Sequence, residues 1–508
     1  MRLSMTKLLS LLVLIAIFAF GFGNSSRALD KIQESRVAET AREMVISQQW
    51  LLPHFNGELR LQKPPLSYWT TAASFQAFGV NEFALRLPSL LFGLATIALL
   101  FIWLAKRLDK ETGLIAALVM VSSFIGMRYF RSAEADATLI FFITSSLIAF
   151  ECMSQAQSTQ QAKRWGRVMM LCMGLAFLSK GPAGLAIPLL TAILWGWHRR
   201  LFHAKTILLD GVAWSLFLVS GFAWYLWIMW SMPDIANQFF TKQLDETFVS
   251  GTHIQPWYWY LLHAVEFFSP WGILLFPAAW FFWRQRPEHA LIRLAAIWLM
   301  VVLVLLSITV NKQIQYALLL LPPISILLAY YFVHAGEFLQ RAHRFLGIVL
   351  LMAVTGLVIN IIWKHQPNLS LLVLGVFFAL PFCTMRWQAQ SMRNYLLLNV
   401  ALIWALSAST IYLLAEQYFL KTEDKQDIKV LAQQSKQLRP MFQFKPGNGA
   451  ISFYAGDIIK EISPAQLDTL ITPGKPLWML TKNSAQFPGV KSSVELHSGS
   501  WAVWRLEK

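Results

Sequence analysis

The chain has 508 residues, of which 56% are hydrophobic and 14% charged, with a formal net charge of +16 and a mean hydropathy of +0.49. A water-soluble protein with so few charges could not cover its own surface, so the composition points to a chain embedded in lipid. The positive charge does not indicate a nucleic-acid partner, because the basic residues are dispersed over short connections rather than gathered in one patch.

Apolar windows fall at residues 8–23, 84–105, 112–127, 137–153, 167–179, 182–197, 207–231, 258–283, 292–310, 313–334, 345–363, 369–385 and 394–415. By the hydropathy criterion they predict about 13 transmembrane spans. Each span must satisfy its backbone internally, so all are expected to be helices. Trp195, Trp197, Trp283 and Trp363 stand at window edges, as tryptophan does at a membrane–water interface. The first window is expected to be a retained anchor, with signal-peptide cleavage near Gly21, Gly23 and Ser25 as the alternative. With the N-terminus inside, Lys106-Arg107, Lys163-Arg164, Arg199-Arg200, Arg284/Arg286, Arg341/Arg344 and Arg386/Arg393 recur at every second connection, as the positive-inside rule requires. The opposite face then receives segment 24–83, the loop near 232–257 and the tail.

The expected fold class is therefore an α-helical polytopic membrane protein with a small C-terminal α/β extramembrane domain. Residues 1–415 are expected to form the membrane domain, with 24–83 as its first outer loop. Residues 416–508 are expected to form the α/β domain, with a helix over 427–438 and strand-like runs at 450–454, 477–480 and 501–506. Cys152, Cys172 and Cys383 lie within or at the ends of apolar runs without metal-ligand or CxxC spacing, and read as small hydrophobes.

Charged residues outside the connections are scarce, so polar clusters on the outer face are informative. Along 33–44, helical spacing puts Val37, Ala41 and Met44 on one side and Arg36, Glu39 and Glu43 on another. An interfacial amphipathic helix would give the same pattern. In Gln62-Lys63-Pro64-Pro65, the two prolines cannot sit inside a helix and mark a fixed turn presenting one cation, which suits a phosphate headgroup. Arg128, Arg131, Glu134 and Asp136 converge in one short loop, and Asp136 opens an apolar helix whose dipole favours its ionised form, although a plain N-terminal acid reads the same. Lys180 and Lys312 each stand in a tight turn between closely spaced spans. Either could simply snorkel to headgroups, but with Arg36, Lys63 and Arg128 on the same face they suit an anion site.

Several segments together resemble a known family: ESRVAETAREM, PHFNGELRLQKPPLSYW, FGVNEFALRLPSLL, RSAEADATL, FLSKGPAG, PWYWY and NKQIQYALLLLPP, in this order over residues 30 to 325. The chain resembles the GT-C class of polyprenyl-phosphate-sugar-dependent glycosyltransferases, and within it the aminoarabinose lipid A transferases, related to the dolichyl-phosphate-mannose protein mannosyltransferases. The resemblance implies that Arg36, Lys63, Lys180, Lys312 and Tyr316, with Arg128, surround the donor phosphate. It implies Asp136 as one of two catalytic acids. With Gln33 at the position of the usual first-loop acid, that role falls to Asp136 or to Glu34, and Gln33, Gln62 and Tyr68 are expected to position the acceptor or the loop. Two departures matter: Gln33-Glu34 stands where the family has aspartate-glutamate, and Gln62-Lys63-Pro64 where it has glutamate-lysine-proline. The second removes a carboxylate that could bind a divalent metal, so no cofactor is assigned.

The implied reaction moves a sugar from a polyprenyl phosphate to a lipid A-like or other envelope glycan or lipid on the periplasmic face of the bacterial inner membrane. The alternatives are a protein glycosyltransferase of the same fold and, from another class, a transporter or flippase of lipid-linked sugars. A transporter would gather ionisable groups near the bilayer midplane. In that reading Glu266 is the chief candidate for a buried charge.

Overall fold

The computed structural model describes residues 4–25, 27–29, 32–199, 204–233, 253–335, 422–444, 448–472, 474–482, 484–487 and 489–507. The expected spans 345–363, 369–385 and 394–415, with Trp363, Cys383 and the arginines at 341, 344, 386 and 393, lie outside the described residues, as do Arg200 and most of the loop near 232–257. The chain divides into two compact units. One comprises residues 1–22, 90–130 and 136–410, and the other 23–89, 131–135 and 411–508.

The first unit is helical. Its described elements are α1 (Met5–Gly21), the body of a helix that begins in the other unit (Glu82–Arg107), then Lys110–Ser122, Phe124–Tyr129, Ala135–Ser154, Thr159–Lys180, Pro182–Arg199, Ala204–Leu208, Gly211–Ser231, Leu275–Gln285, Ala290–Ile308 and Leu321–His334. Among the described residues, Glu82–Arg107, Ala135–Ser154, Gly211–Ser231, Ala290–Ile308 and Ile314–His334 are long and apolar enough to cross a membrane; Met5–Gly21 and Pro182–Trp197 are shorter apolar helices.

Caps decide where the apolar windows break. The window at 207–231 is interrupted because Asp210 caps Gly211–Ser231, accepting from the Val212 and Ala213 amides at 3.1 and 3.4 Å. The window at 258–283 is not one helix. It is a series of short turns, then Leu275–Gln285, because Pro270 has no N–H to donate; the preceding Ser269 carbonyl instead accepts from the Phe124 amide at 2.9 Å. The tight turn at Lys180-Gly181-Pro182 works because Gly181 adopts φ +77° and Pro182 opens the next helix. Those two helices then pack backbone to backbone: a Cβ on Gly184 would lie 2.2 Å from the Ala176 carbonyl.

The second unit joins the segment after the first helix to the tail. Its helices are Ile32–Ser47, Leu66–Phe78 and the opening turns of Glu82–Arg107, with a hairpin of β1 (His54–Phe55) and β2 (Glu58–Leu59) turned at Asn56-Gly57. Pro88 leaves the Ala84 carbonyl without its helical donor, and the Ser74 hydroxyl supplies one at 2.6 Å.

The tail contributes helices Thr422–Gln434, Gly449–Ala455 and Pro464–Leu470 and the strands β3 (Met441–Phe444), β4 (Lys460–Ile462), β5 (Leu477–Lys482), β6 (Lys491–Ser498) and β7 (Trp501–Glu507). They form a sheet of order β4-β3-β5-β7-β6, with β3 parallel to both its neighbours and β7 antiparallel to β5 and β6. The run at 450–454 is helical, not a strand. Asn448 caps it through the Ala450 amide at 3.0 Å and Gly456 closes it at φ +71°.

One apolar core unites this unit: Val37, Ala41, Met44, Tyr68 and Phe75 pack with Ile428, Leu431, Ile451, Tyr454 and Val503. The polar side of Ile32–Ser47 is also covered, with Glu39, Arg42 and Glu43 at 0%, 2% and 6% exposure. An interfacial amphipathic helix would leave that side in water. Here the tail packs against this helix, and a Cβ on Gly449 would lie only 2.9 Å from the Ser35 carbonyl oxygen.

Candidate active site

In the second unit the Pro64-Pro65 turn precedes the helix Leu66–Phe78. Lys63 reaches back from that turn and donates through Nζ to Gln33 Oε1 at 2.9 Å. Gln33 and Arg36, both partly exposed, stand on the opening turns of Ile32–Ser47, and Gln62 is exposed beside Lys63. Tyr68 is fully buried in the apolar core, and its hydroxyl accepts from Arg60 Nε at 3.3 Å. That placement leaves no ring surface for an acceptor.

Glu34 is enclosed. Both of its oxygens accept from Arg86, at 2.8 and 2.9 Å, and Oε1 also accepts from the Ala133 amide at 3.2 Å. Burial raises the Glu34 carboxyl, but Arg86, Arg27 and these hydrogen bonds outweigh it and hold the group at about 2. It is a fixed carboxylate at every physiological pH. Glu39, by contrast, is pushed up to about 7 by burial, against the pull of Arg42 and with further push from Glu43.

In the first unit Asp136 lies in the opening turn of Ala135–Ser154, 3% exposed. Lys180, the last residue of Thr159–Lys180, pairs with it at 2.5 Å. The same ammonium lies 4.6 Å from the centroid of the Tyr316 ring. Tyr260 ties the neighbouring segments together, donating to the Gln313 carbonyl at 3.0 Å and accepting its amide at 3.2 Å. Arg128 lies over the Phe124 and Tyr129 rings at 5.9 and 5.8 Å.

Lys312 stands apart. Its ammonium donates to the carbonyls of Leu306 at 3.0 Å, Ser307 at 3.2 Å and Thr309, closing the C-terminus of Ala290–Ile308. A lysine has three donors, and these carbonyls occupy all of them. Glu266, the residue a transporter reading would bury, is exposed. Among the described residues no group of three His, Cys, Asp or Glu side chains is placed to hold a metal ion.

Thus the structure brings Gln33 together with Lys63, and Asp136 with Lys180 and Tyr316. Arg86 was missed in the sequence although it carried a signal, as the lone charge inside the window 84–105.

Comparison with known proteins finds relatives by sequence and by fold. Residues 62–225 match the family model of dolichyl-phosphate-mannose-protein mannosyltransferases. The undecaprenyl phosphate-alpha-4-amino-4-deoxy-L-arabinose arabinosyl transferase of Erwinia tasmaniensis is 28% identical over 371 residues, covering 69% of this chain and 66% of its own. A Pseudomonas fluorescens protein of the same description is 30% identical over 334 residues, covering 64% and 60%. A crystal structure of ArnT from Cupriavidus metallidurans bound to undecaprenyl phosphate superposes with a TM-score of 0.79 at 20% identity, over 99% of this chain and 98% of that one. The chain has the GT-C fold and resembles the aminoarabinose lipid A transferases. It is a multi-pass membrane protein, and its sequence matches span about two thirds of the length of these curated relatives, or somewhat less.

Proposed function

We propose that this protein transfers a sugar from a polyprenyl-phosphate donor to a lipid A-like or other envelope glycan or lipid, on the periplasmic face of the inner membrane. The observation that carries the reading is the Asp136–Lys180 pair capped by the Tyr316 ring: a buried carboxylate paired with a cation in a chain with so few charges. Relatives named for undecaprenyl phosphate-linked aminoarabinose support the donor class.

The reaction breaks the bond between the sugar C1 and the phosphate oxygen, so positive charge develops at C1 and negative charge on the departing phosphate. By the resemblance, Lys63 and Arg36 serve that phosphate, as do Lys180 and Arg128, and fixed cations of this kind gain strength where water is excluded. Asp136 accepts the acceptor's hydroxyl proton as the new C1–O bond forms. Glu34 is left out of the chemistry because both its oxygens are already committed to Arg86. Lys312 is left out because its three donors cap a helix.

The test combines mass spectrometry of lipid A, other envelope glycans and glycoproteins from a deletion strain with a transfer assay on purified protein. Loss of one sugar from a lipid or glycan supports the reading. A change confined to glycoproteins favours the protein-glycosylating alternative. Lys63→Ala and Arg36→Ala should each abolish most transfer while the protein stays folded, since a charge-assisted contact is worth about 1.5–3 kcal/mol. Near-normal transfer by both would place the donor phosphate elsewhere.

A further inference from the structure

We infer that Glu34 and Arg86 are a positioning pair that fixes the loop entering the helix of Asp136, and so sets the aim of that carboxylate. The inference rests on the reaction proposed above and assigns it two residues that touch neither substrate.

Both side chains are at 0% exposure. Every donor of the Arg86 guanidinium is used: Nε and one Nη2 proton go to Glu34, the other Nη2 proton to the Ala28 carbonyl at 3.1 Å, and Nη1 to the Asn24 and Arg27 carbonyls at 2.7 and 2.8 Å. One arginine on the opening turns of Glu82–Arg107 therefore holds the backbone of 24–28 and the first turn of Ile32–Ser47 at once. Glu34 carries the connection onward to the Ala133 amide at 3.2 Å. Arg27, itself 3.6 Å from Glu34, donates to the Arg131 carbonyl at 3.0 Å. The loop 131–135 is thus held by its backbone at two points, and Asp136 follows it directly.

A buried ion pair is not needed for stability alone, because apolar replacements of similar volume are often as stable. What an apolar pair could not do is grip the carbonyls of 24, 27 and 28 and the amide of 133 together. A lysine at 86 could satisfy at most three of the five acceptors Arg86 serves, the three carbonyls and the two Glu34 oxygens. The geometry therefore serves placement, and a reacting carboxylate moved by about 1 Å can lose roughly 100-fold in rate.

The experiment compares wild type, Glu34→Gln and Arg86→Lys as full-length protein in detergent, by amide hydrogen exchange and by sugar transfer from a polyprenyl-phosphate-linked sugar. We expect faster exchange confined to 24–28 and 131–135 in both variants. We expect kcat per folded molecule to fall roughly 100-fold in Glu34→Gln, with donor KM within about twofold of wild type and the pH–rate profile unmoved. Arg86→Lys should retain more activity than Glu34→Gln. Wild-type exchange and kcat in folded Glu34→Gln would overturn the inference. Loss of a limb of the pH–rate profile in Glu34→Gln would overturn it too, by making Glu34 a reacting acid. Failure of both variants to fold would assign the pair to global stability instead. Should wild type itself transfer no sugar, the proposed reaction fails, while the exchange arm still decides whether the pair holds the loop.

Discussion

Glu39 gives the second unit a pH dependence opposite to that of an ordinary paired carboxylate. Its oxygens accept from Arg42 Nε at 2.8 Å and Nη2 at 2.7 Å, yet one guanidinium faces two buried carboxylates. Glu43 Oε2 takes the Gly57 amide at 3.1 Å, while its Oε1 is buried without a donor. Asp457 also acts on Arg42. Burial raises Glu39 from 4.5 to about 7, against the pull of Arg42 and with a further push from the Glu43 charge. The difference, 7 − 4.5, is about 2.5 pH units, or about 3 kcal/mol. Because the folded state holds its proton more tightly, this stability is fully present below pH 4.5. It drains away as pH rises to about 7 and is absent above. Glu34, held at about 2, works the other way, its contribution being lost only as pH falls from 4.5 towards 2. Between pH ~5 and ~7.5 the slope therefore isolates Glu39. Amide exchange of Ile32–Ser47, measured in detergent across that range, should lose roughly a hundredfold protection in wild type. Glu39→Gln, which cannot titrate, should be nearly flat. A wild-type protein whose protection is constant or rises with pH would refute the reasoning, as would a Glu39→Gln variant that keeps the slope.

The remaining predictions concern single positions in the first unit. Asp136→Asn should lose most transfer with its fold intact, read as product formed per folded molecule; full activity would remove it from the reaction. Lys312→Met should lower thermal stability by about 1–2 kcal/mol through loss of the carbonyl cap, with donor KM unchanged in the transfer assay. Gly184→Ala should destabilise by about 1–3 kcal/mol in a detergent melt, because the added methyl meets the Ala176 backbone at 2.2 Å, and backbone yields less than a side chain does.

Hydropathy read the membrane helices well because lipid imposes one solution on an apolar run. The places where it failed share a cause: a window average is blind to one polar or imino residue. Asp210 breaks a run by capping, and Pro270 breaks another by withholding an N–H. In the tail, the apolar stretch at 450–454 has no period that separates strand from helix. Its flanks, Asn448 and Gly456, carried the answer.

For the site, sequence identified charged residues out of place but not what each one faces. Lys180 and Lys312 look alike on paper, each a lone lysine in a short turn between spans. Folding gives Lys180 a carboxylate and an aromatic face, and gives Lys312 three backbone carbonyls. Glu34 and Asp136 diverge in the same way. One is surrounded by a forked arginine and a backbone amide that use both its oxygens, whereas the other sits 3% exposed and pairs with a flexible ammonium. An ammonium can swing towards a departing phosphate and release its carboxylate as charge moves; a guanidinium with five bonds cannot. On the reaction proposed above, the capacity to exchange partners separates the acid assigned to the chemistry from the one assigned to structure. That capacity belongs to the pair, so no single position in the sequence could display it.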